Sequence, residues 1–212
     1  MRWRCWQVSE YKGYLLKRFS WVSRIYDIFC APTSILRRAP LEFCSVKKET
    51  RILEVGTGTG NLSLDLSLYS DHVFAGDISP DMLGRAVRKN KEKKVKYLLF
   101  DGTKLPFPDK SFDFSLTAAV LHEIPEEIIE NMLLEMKRVT KEKVIVIDYA
   151  MPRNTLSGAA AKLVVSVYES RYFGQFMKIG LPELFGRCGL KLEREKRLLG
   201  IFKIWVLNAD NQ

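Results

Sequence analysis

The chain has 212 residues, which suits one domain or one domain with a small appendage, and its 47% apolar content is ample for a sizeable core. No apolar run approaches the ~20 residues of a membrane-spanning helix, so no such span is expected. The formal charge is +9, and residues 1–50 hold ten Lys/Arg against four Asp/Glu, so most of the basic surplus lies in the N-terminal extension. Such a field favours an anionic partner, whether membrane surface, nucleic acid or acidic substrate; a solvated basic face is the plainer alternative.

At the N-terminus, Arg2 and Arg4 are followed by polar residues rather than an apolar stretch, so the pattern is not that of a secretory signal and a cytoplasmic location is expected. Leu15, Leu16, Phe19, Val22, Ile25, Tyr26 and Phe29 recur at spacings of three and four, which predicts an amphipathic helix over 13–30. A second short helix is expected from Thr33 or Ser34 to Arg38, ended by Pro40. From Arg51 to about Asp148, strands and helices alternate, with strand candidates at 51–55, 72–76, 95–100, 112–117 and 143–148. This alternation predicts a parallel sheet covered by helices on both faces. A helix over 126–138 carries a buried stripe of Ile128, Ile129, Met132, Leu133 and Met136. Residues 151–180 are the least regular, with helical character from Ala159 to Tyr168. A helix from Leu181 ends at Gly189, and two strand-like runs follow at about 190–197 and 200–207.

The cysteines Cys5, Cys30, Cys44 and Cys188 show no C-x-x-C pairing and no zinc-finger spacing. Reduced thiols packed as small apolar groups are expected; thiolates of the first three binding a soft acceptor is the sharper alternative. No metal site is expected.

The segment Arg51-Ile-Leu-Glu-Val-Gly-Thr-Gly-Thr-Gly-Asn61 concentrates the chemistry. A β-type run feeds into Gly56, Gly58 and Gly60, and a helix-compatible stretch follows, so the loop lies at a strand's carboxyl end, where open α/β sheets bind nucleotide-like ligands. Val73-Phe-Ala-Gly-Asp77 reads as a second strand ending in an acid that can accept from both ribose hydroxyls. A dinucleotide fingerprint wants glycine where this chain has Asn61. Glu54-x-Gly56-x-Gly58-x-Gly60 instead resembles motif I of the class I S-adenosylmethionine (SAM)-dependent methyltransferases. Gly76-Asp-Ile-Ser-Pro-Asp-Met-Leu83 resembles that superfamily's acidic second motif, Asp101-Gly102 its third, and Ser111-Phe-Asp-Phe-Ser-Leu-Thr117 its fourth strand.

The resemblance implies a Rossmann-like α/β fold: a seven-stranded, mostly parallel sheet with a C-terminal antiparallel hairpin and helices on both faces. It also implies that residues 1–50 form a helical extension or lid over the cofactor site. Residues 51–212 would be the SAM-binding domain, with 151–180 as a variable acceptor-side insertion. Gly56, Thr57, Gly58, Gly60 and Asn61 would admit SAM, with Glu54 beside its methionine part. Asp77 would take the ribose, Ile78 and Met82 would pack on adenine, and Asp101 with Gly102 would meet the adenine amine. Thr117 would stand at the fourth strand's end. For Asp77 the structural alternative is a helix cap, and for Met82 plain core packing.

His122 follows that strand and is the candidate general base, with a helix cap or a turn hydrogen bond as the alternative; His72 is expected to be structural. Tyr26-Asp27, Pro106-Phe-Pro-Asp109, Glu135-Met-Lys-Arg-Val139 and Asp148-Tyr-Ala-Met-Pro152 resemble the ubiquinone/menaquinone C-methyltransferase group over about residues 20–152, and Tyr26 would then close over the cofactor. Two departures stand out. Thr140-Lys-Glu-Lys143 replaces that group's Lys-Pro-Gly-Gly turn, and Ala118-Ala-Val-Leu-His-Glu123 differs from its fourth-strand loop.

The implied activity is methyl transfer to a small apolar or amphipathic acceptor, quinone- or lipid-like, with peripheral contact to an anionic membrane through the basic N-terminal helix. Nucleic-acid methylation is the alternative, against which stands the lack of an Asn/Asp-Pro-Pro-aromatic motif. A SAM-binding regulatory protein without turnover is the third reading.

Overall fold

The computed structural model describes residues 2–22, 39–150 and 171–210, with side chains in the first segment described for residues 10–20. Seven strands form one sheet: β1 (Arg51–Val55), β2 (His72–Asp77), β3 (Val95–Leu99), β4 (Phe112–Ala118), β5 (Thr140–Tyr149), β6 (Lys191–Leu198) and β7 (Phe202–Asn208). Their order is β3-β2-β1-β4-β5-β7-β6; the first five are parallel, and β7 runs antiparallel to both β5 and β6. The Rossmann-like sheet and its closing hairpin agree with the sequence reading.

The helices are α1 (Arg2–Val22), α2 (Asn61–Leu66), α3 (Pro80–Lys89), α4 (Glu126–Val139), α5 (Phe173–Phe176) and α6 (Leu181–Arg187). Central strands are apolar on both faces because each face has its own core. One core joins Leu53, Val55, Val144 and Val146 to Ile129, Leu133 and Met136 of α4, Phe185 of α6 and Trp205. The other joins Ile52, Val73, Leu116 and Ile145 to Leu62 and Leu66 of α2 and to Ile204 and Val206. The edge strand β6, Lys191-Leu-Glu-Arg-Glu-Lys-Arg-Leu198, is exposed over its first six residues, and its charges discourage edge-to-edge pairing.

Several boundaries differ from expectation. Helix α1 begins at Arg2 rather than 13, because Tyr11 and Leu15, one turn apart, are both buried in the first core and extend the apolar stripe toward the N-terminus. Residues 23–30, Tyr26 and Asp27 among them, the helix expected over 33–38 and the segment 159–168 lie outside the described residues. Pro40 sits inside a 3-10 turn, Ala39–Glu42. Tyr172-Phe-Gly-Gln-Phe-Met-Lys178, read as irregular, contains α5, anchored by buried Phe173 and Phe176.

Strand β5 starts three residues before the expected 143, with no turn between α4 and β5: Thr140 caps the helix and opens the strand. Its Oγ1 lies 2.6 Å from both Met136 O and Ser115 Oγ, so one hydroxyl serves the last helical turn and the neighbouring strand. Cys44 and Cys188 are buried free thiols, and burial pushes each up to about 11, the behaviour of packed apolar residues rather than thiolates. Among the described residues no cluster suited to a metal ion occurs, and no helix is long and apolar enough to cross a membrane.

Candidate active site

The glycine loop leaves β1 and turns over the carboxyl end of the sheet. Gly56 and Gly60 have φ of 80° and 82°, the left-handed region that L side chains avoid. A Cβ on Gly56 would come within 2.4 Å of Val120 Cγ2, and one on Gly60 within 2.5 Å of the Tyr97 hydroxyl. The loop thus needs glycine for conformation and for space together. The amides of Gly56 and Thr57 both donate to Gly76 O, at 2.9 and 3.0 Å, which folds the loop back onto the end of β2.

Asp77 ends β2 and holds two elements at once. Its Oδ2 accepts from Gly58 N at 2.8 Å, and its Oδ1 accepts from Ser79 N at 2.8 Å. Ser79, not Asp77, is the cap of α3, accepting from Met82 N. Burial raises the Asp77 carboxyl above its ordinary range, while the backbone donors of Ser79, Gly58 and Ile78 oppose that rise. Met82 is fully buried and Ile78 partly so.

Glu54 is buried beneath the loop; its Oε2 accepts from Thr57 Oγ1 at 2.7 Å, and Thr57 lies 3.0 Å from Ser63 Oγ, which lies 3.0 Å from the Tyr97 hydroxyl. Burial pushes Glu54 up to about 7, with the Thr57 and Ser63 hydrogen bonds working against it. Asn61 opens α2 and accepts from Lys89 Nζ at 2.9 Å.

Asp101 stands after β3. Its Oδ1 accepts from Thr103 N and Oγ1, and its Oδ2 lies 2.5 Å from Lys12 Nζ of α1. Burial would raise this carboxyl, yet Lys12 and Thr103 together hold it below its ordinary value. Next to it, a Cβ on Gly102 would press on Val55 and Met132. Thr117 is completely buried, and its Oγ1 meets no partner among the described residues. His72, by contrast, is exposed at the start of β2, away from this cluster.

Beyond β4 the chain passes through Ala119, whose φ of 54° is unusual for a residue with a Cβ, and then a 3-10 turn, Leu121–Glu123. Asp148, near the end of β5, organises this turn. Its Oδ2 accepts from Val120 N at 3.1 Å and Leu121 N at 2.8 Å, and its Oδ1 lies 2.7 Å from His122 Nδ1. The other ring nitrogen of His122 is 3.6 Å from Glu123 Oε1, which is 3.2 Å from Arg18 NH2 of α1. Burial alone would lower the His122 pKa; the Asp148 and Glu123 carboxylates outweigh it, with Arg18 opposing, and the net shift is upward. The rings of Tyr149, Phe173 and Phe176 pack edge-on around the imidazole at 4.8, 6.0 and 6.2 Å.

Glu54, Asp77, Asp101, Thr117 and His122 therefore come together at the carboxyl ends of β1 to β5 with the glycine loop; Tyr26 lies outside the described residues. The sequence reading missed Asp148, Glu123, Lys12 and Arg18. Only Asp148 carried a signal, as an acid directly after the apolar run Val144–Ile147.

The comparisons with known proteins agree with this geometry. The family described as "Methyltransferase domain" matches residues 52–143. The chain is 31% identical over 131 residues to the ubiquinone/menaquinone biosynthesis C-methyltransferase UbiE of Azotobacter vinelandii, covering 58% of this chain and 51% of that protein. It is 38% identical over 122 residues to a phosphatidylethanolamine N-methyltransferase of Cereibacter sphaeroides, covering 53% and 58%. The chain thus spans about half the length of these curated relatives. In fold it is similar to the magnesium protoporphyrin IX methyltransferase of Synechocystis, solved with S-adenosylhomocysteine (SAH) bound, at TM-score 0.68, 19% identity and coverage of 93% and 99%.

The fold is that of the class I SAM-dependent methyltransferases, and residues 52–143 match the methyltransferase-domain family. Within that class it is related to the UbiE group.

Proposed function

We propose that this protein transfers the methyl group of SAM to a small apolar or amphipathic acceptor of quinone or lipid type. The observation that carries the reading is the Asp77 carboxylate, which joins the glycine loop to the end of β2 while each oxygen keeps lone-pair capacity for a ribose hydroxyl. The residues fit the cofactor: Gly56 and Gly60 let the loop turn at the end of β1 with no side chain between it and Val120 or Tyr97, and Thr117 offers an unmet buried hydroxyl. In this reading Glu54, Thr57, Gly58 and Asn61 border the methionine part, Ile78 and Met82 the adenine face, and Asp101 with Gly102 the adenine amine. SAM supplies a methyl carbon already activated by its sulfonium, so the protein's task is alignment and exclusion of water.

His122 is the residue we assign to proton removal from the acceptor. In this reading Asp148 holds Nδ1, Nε2 of the neutral ring takes the proton, and the Tyr149, Phe173 and Phe176 rings pack edge-on around the imidazole. The printed functions of the relatives, on a quinone precursor pathway and on a phospholipid, support an apolar or amphipathic acceptor. For peripheral membrane contact, Lys12 and Arg18 are engaged with Asp101 and Glu123, which leaves exposed Leu16 and Lys17 as the described part of α1 suited to it.

Titration calorimetry with SAH on the wild type and Asp77→Ala tests the reading. Micromolar binding that weakens at least tenfold in a folded variant is expected. A folded wild type that binds neither SAM nor SAH would overturn it.

A further inference from the structure

Helix α1 reaches the His122 turn through one largely buried ion pair. Arg18 NH2 lies 3.2 Å from Glu123 Oε1, with the two side chains 19% and 11% exposed. Glu123 Oε1 is in turn 3.6 Å from His122 Nε2, while Nδ1 of the same ring lies 2.7 Å from Asp148 Oδ1. One carboxylate oxygen thus stands between an arginine and the edge of an imidazole. Its sister atom, Glu123 Oε2, is shut off from solvent and meets no partner among the described residues. Tyr149, Phe173 and Phe176 also face the ring, edge-on and without charge.

This arrangement sets up a competition for Glu123. Burial alone disfavours a charged imidazole; Asp148 and Glu123 favour it, and Arg18 opposes them. A proton acceptor needs a neutral ring at working pH, and two carboxylates flanking a buried imidazole work against that. At 3.6 Å the contact between Glu123 and Nε2 is longer than a hydrogen bond, whereas Arg18 donates to the same oxygen at 3.2 Å. Arg18 belongs to α1, whose Tyr11 and Leu15 are buried in the first core and whose Lys12 pairs with Asp101. Its guanidinium is therefore delivered to Glu123 by the seating of a whole helix face.

We propose that Arg18 is a positioning residue for His122: seated with α1, it draws the Glu123 carboxylate away from Nε2 and so favours the neutral ring. When α1 is unseated, Glu123 turns to the ring, which then keeps its proton and is idle as a base. The seating of α1 and the readiness of His122 are one equilibrium. By linkage the effect is reciprocal, so a proton on His122 competes with Arg18 for Glu123 and loosens α1. The catalytic meaning rests on the reading of His122 as the proton acceptor; the coupling itself is measurable without it.

The chain has two histidines, His72 exposed and His122 buried, so imidazole NMR follows each titration separately, with His72→Asn to assign them. Arg18→Met is expected to raise the His122 pKa by at least about half a pH unit. Arg18→Lys, which keeps the charge, should give less than half of that rise, whereas a role in packing alone would separate the two variants in no such way. In a Glu123→Gln background, Arg18→Met should move the His122 pKa less than half as far, because the carboxylate through which it acts is gone. A further readout needs no variant. In wild type, amide-exchange protection of residues 10–20 should fall as pH drops through the His122 pKa, while that of α4 holds. Asp101 is held below its ordinary value, so its pair with Lys12 persists through that range. An unmoved His122 pKa in Arg18→Met, an equal rise in both backgrounds, a wild-type ring that stays charged throughout the folded range, or α1 protection indifferent to His122 protonation would each overturn the proposal. Failure of the wild type to bind SAM or SAH would count against the methyltransferase reading instead and leave these titrations standing.

Discussion

Gly56 carries two constraints that a single substitution separates. Its φ of 80° costs any L residue about 1–2 kcal/mol, and a Cβ there would sit 2.4 Å from Val120 Cγ2. Gly56→Ala is therefore expected to destabilise by roughly 2–4 kcal/mol, measured by urea unfolding. Val120→Ala added to it should recover the steric share and leave the conformational one. Full recovery would show that the backbone strain is negligible, and no recovery that the contact with Val120 is. The same loop explains why Asp77 reads so clearly in sequence. An acid at the end of β2 has few uses, and here it spans Gly58 and Ser79, two backbone donors on different elements.

At the scale of elements, α1 is the informative case. Spacing alone identified an apolar stripe, but the ends of the helix and the targets of its charges depend on distant partners. Lys12 reaches Asp101, Arg18 reaches Glu123, and Tyr14 packs edge-on against Tyr172 at 5.9 Å, so the helix ties Asp101 to the His122 turn and to α5. Because the Lys12–Asp101 pair is partly exposed, its loss should cost at most ~1 kcal/mol of stability. On the proposed assignment of Asp101 to the adenine amine, loss of the pair also frees an Asp101 oxygen for that contact. Lys12→Met is thus expected to tighten SAH binding by about fivefold, a change worth ~1 kcal/mol, with a nearly unchanged melting temperature. Unaltered affinity would mean that Lys12 does not compete for that oxygen. The direct passage from α4 into β5 belongs to this scale as well: Thr140 takes the place of a turn because its hydroxyl serves both elements.

Across the whole molecule, the buried titratable groups set how stability follows pH. Glu54 is raised from 4.5 to about 7. Below pH 4.5 it is protonated folded and unfolded alike; as pH climbs, the unfolded chain ionises first, and stability is lost up to about 7. Asp77 and His122, both raised, act in the same direction, each losing its contribution as pH rises through its folded pKa. The lowered carboxyls Asp101, Asp113 and Glu135 act oppositely, contributing above their unfolded pKa and losing that contribution in acid. Glu54→Gln keeps a group able to meet Thr57 but cannot ionise. Its stability should fall less than wild type between pH 5 and pH 8, by on the order of 3 kcal/mol, in paired urea titrations. Identical pH slopes would show that Glu54 is not protonated in the fold.

What could be read from the chain alone was whatever short-range physics encodes. The strand runs, the stripe on α4, the glycine turn and the acid closing β2 each depend on residues within one element or its adjoining loop, so spacing and residue type suffice. The family resemblance then ordered those elements into a sheet. Tertiary structure alone decided which residues meet across long separations. Arg18 and Glu123 lie 105 positions apart, and His122 and Asp148 26 apart. Lys203 and Arg197 came to face the same side as Asp148 only through the hairpin's register. Partners of this kind carry no local pattern, because a buried charge is tolerated wherever the fold brings its counter-charge, and only the folded chain fixes that place.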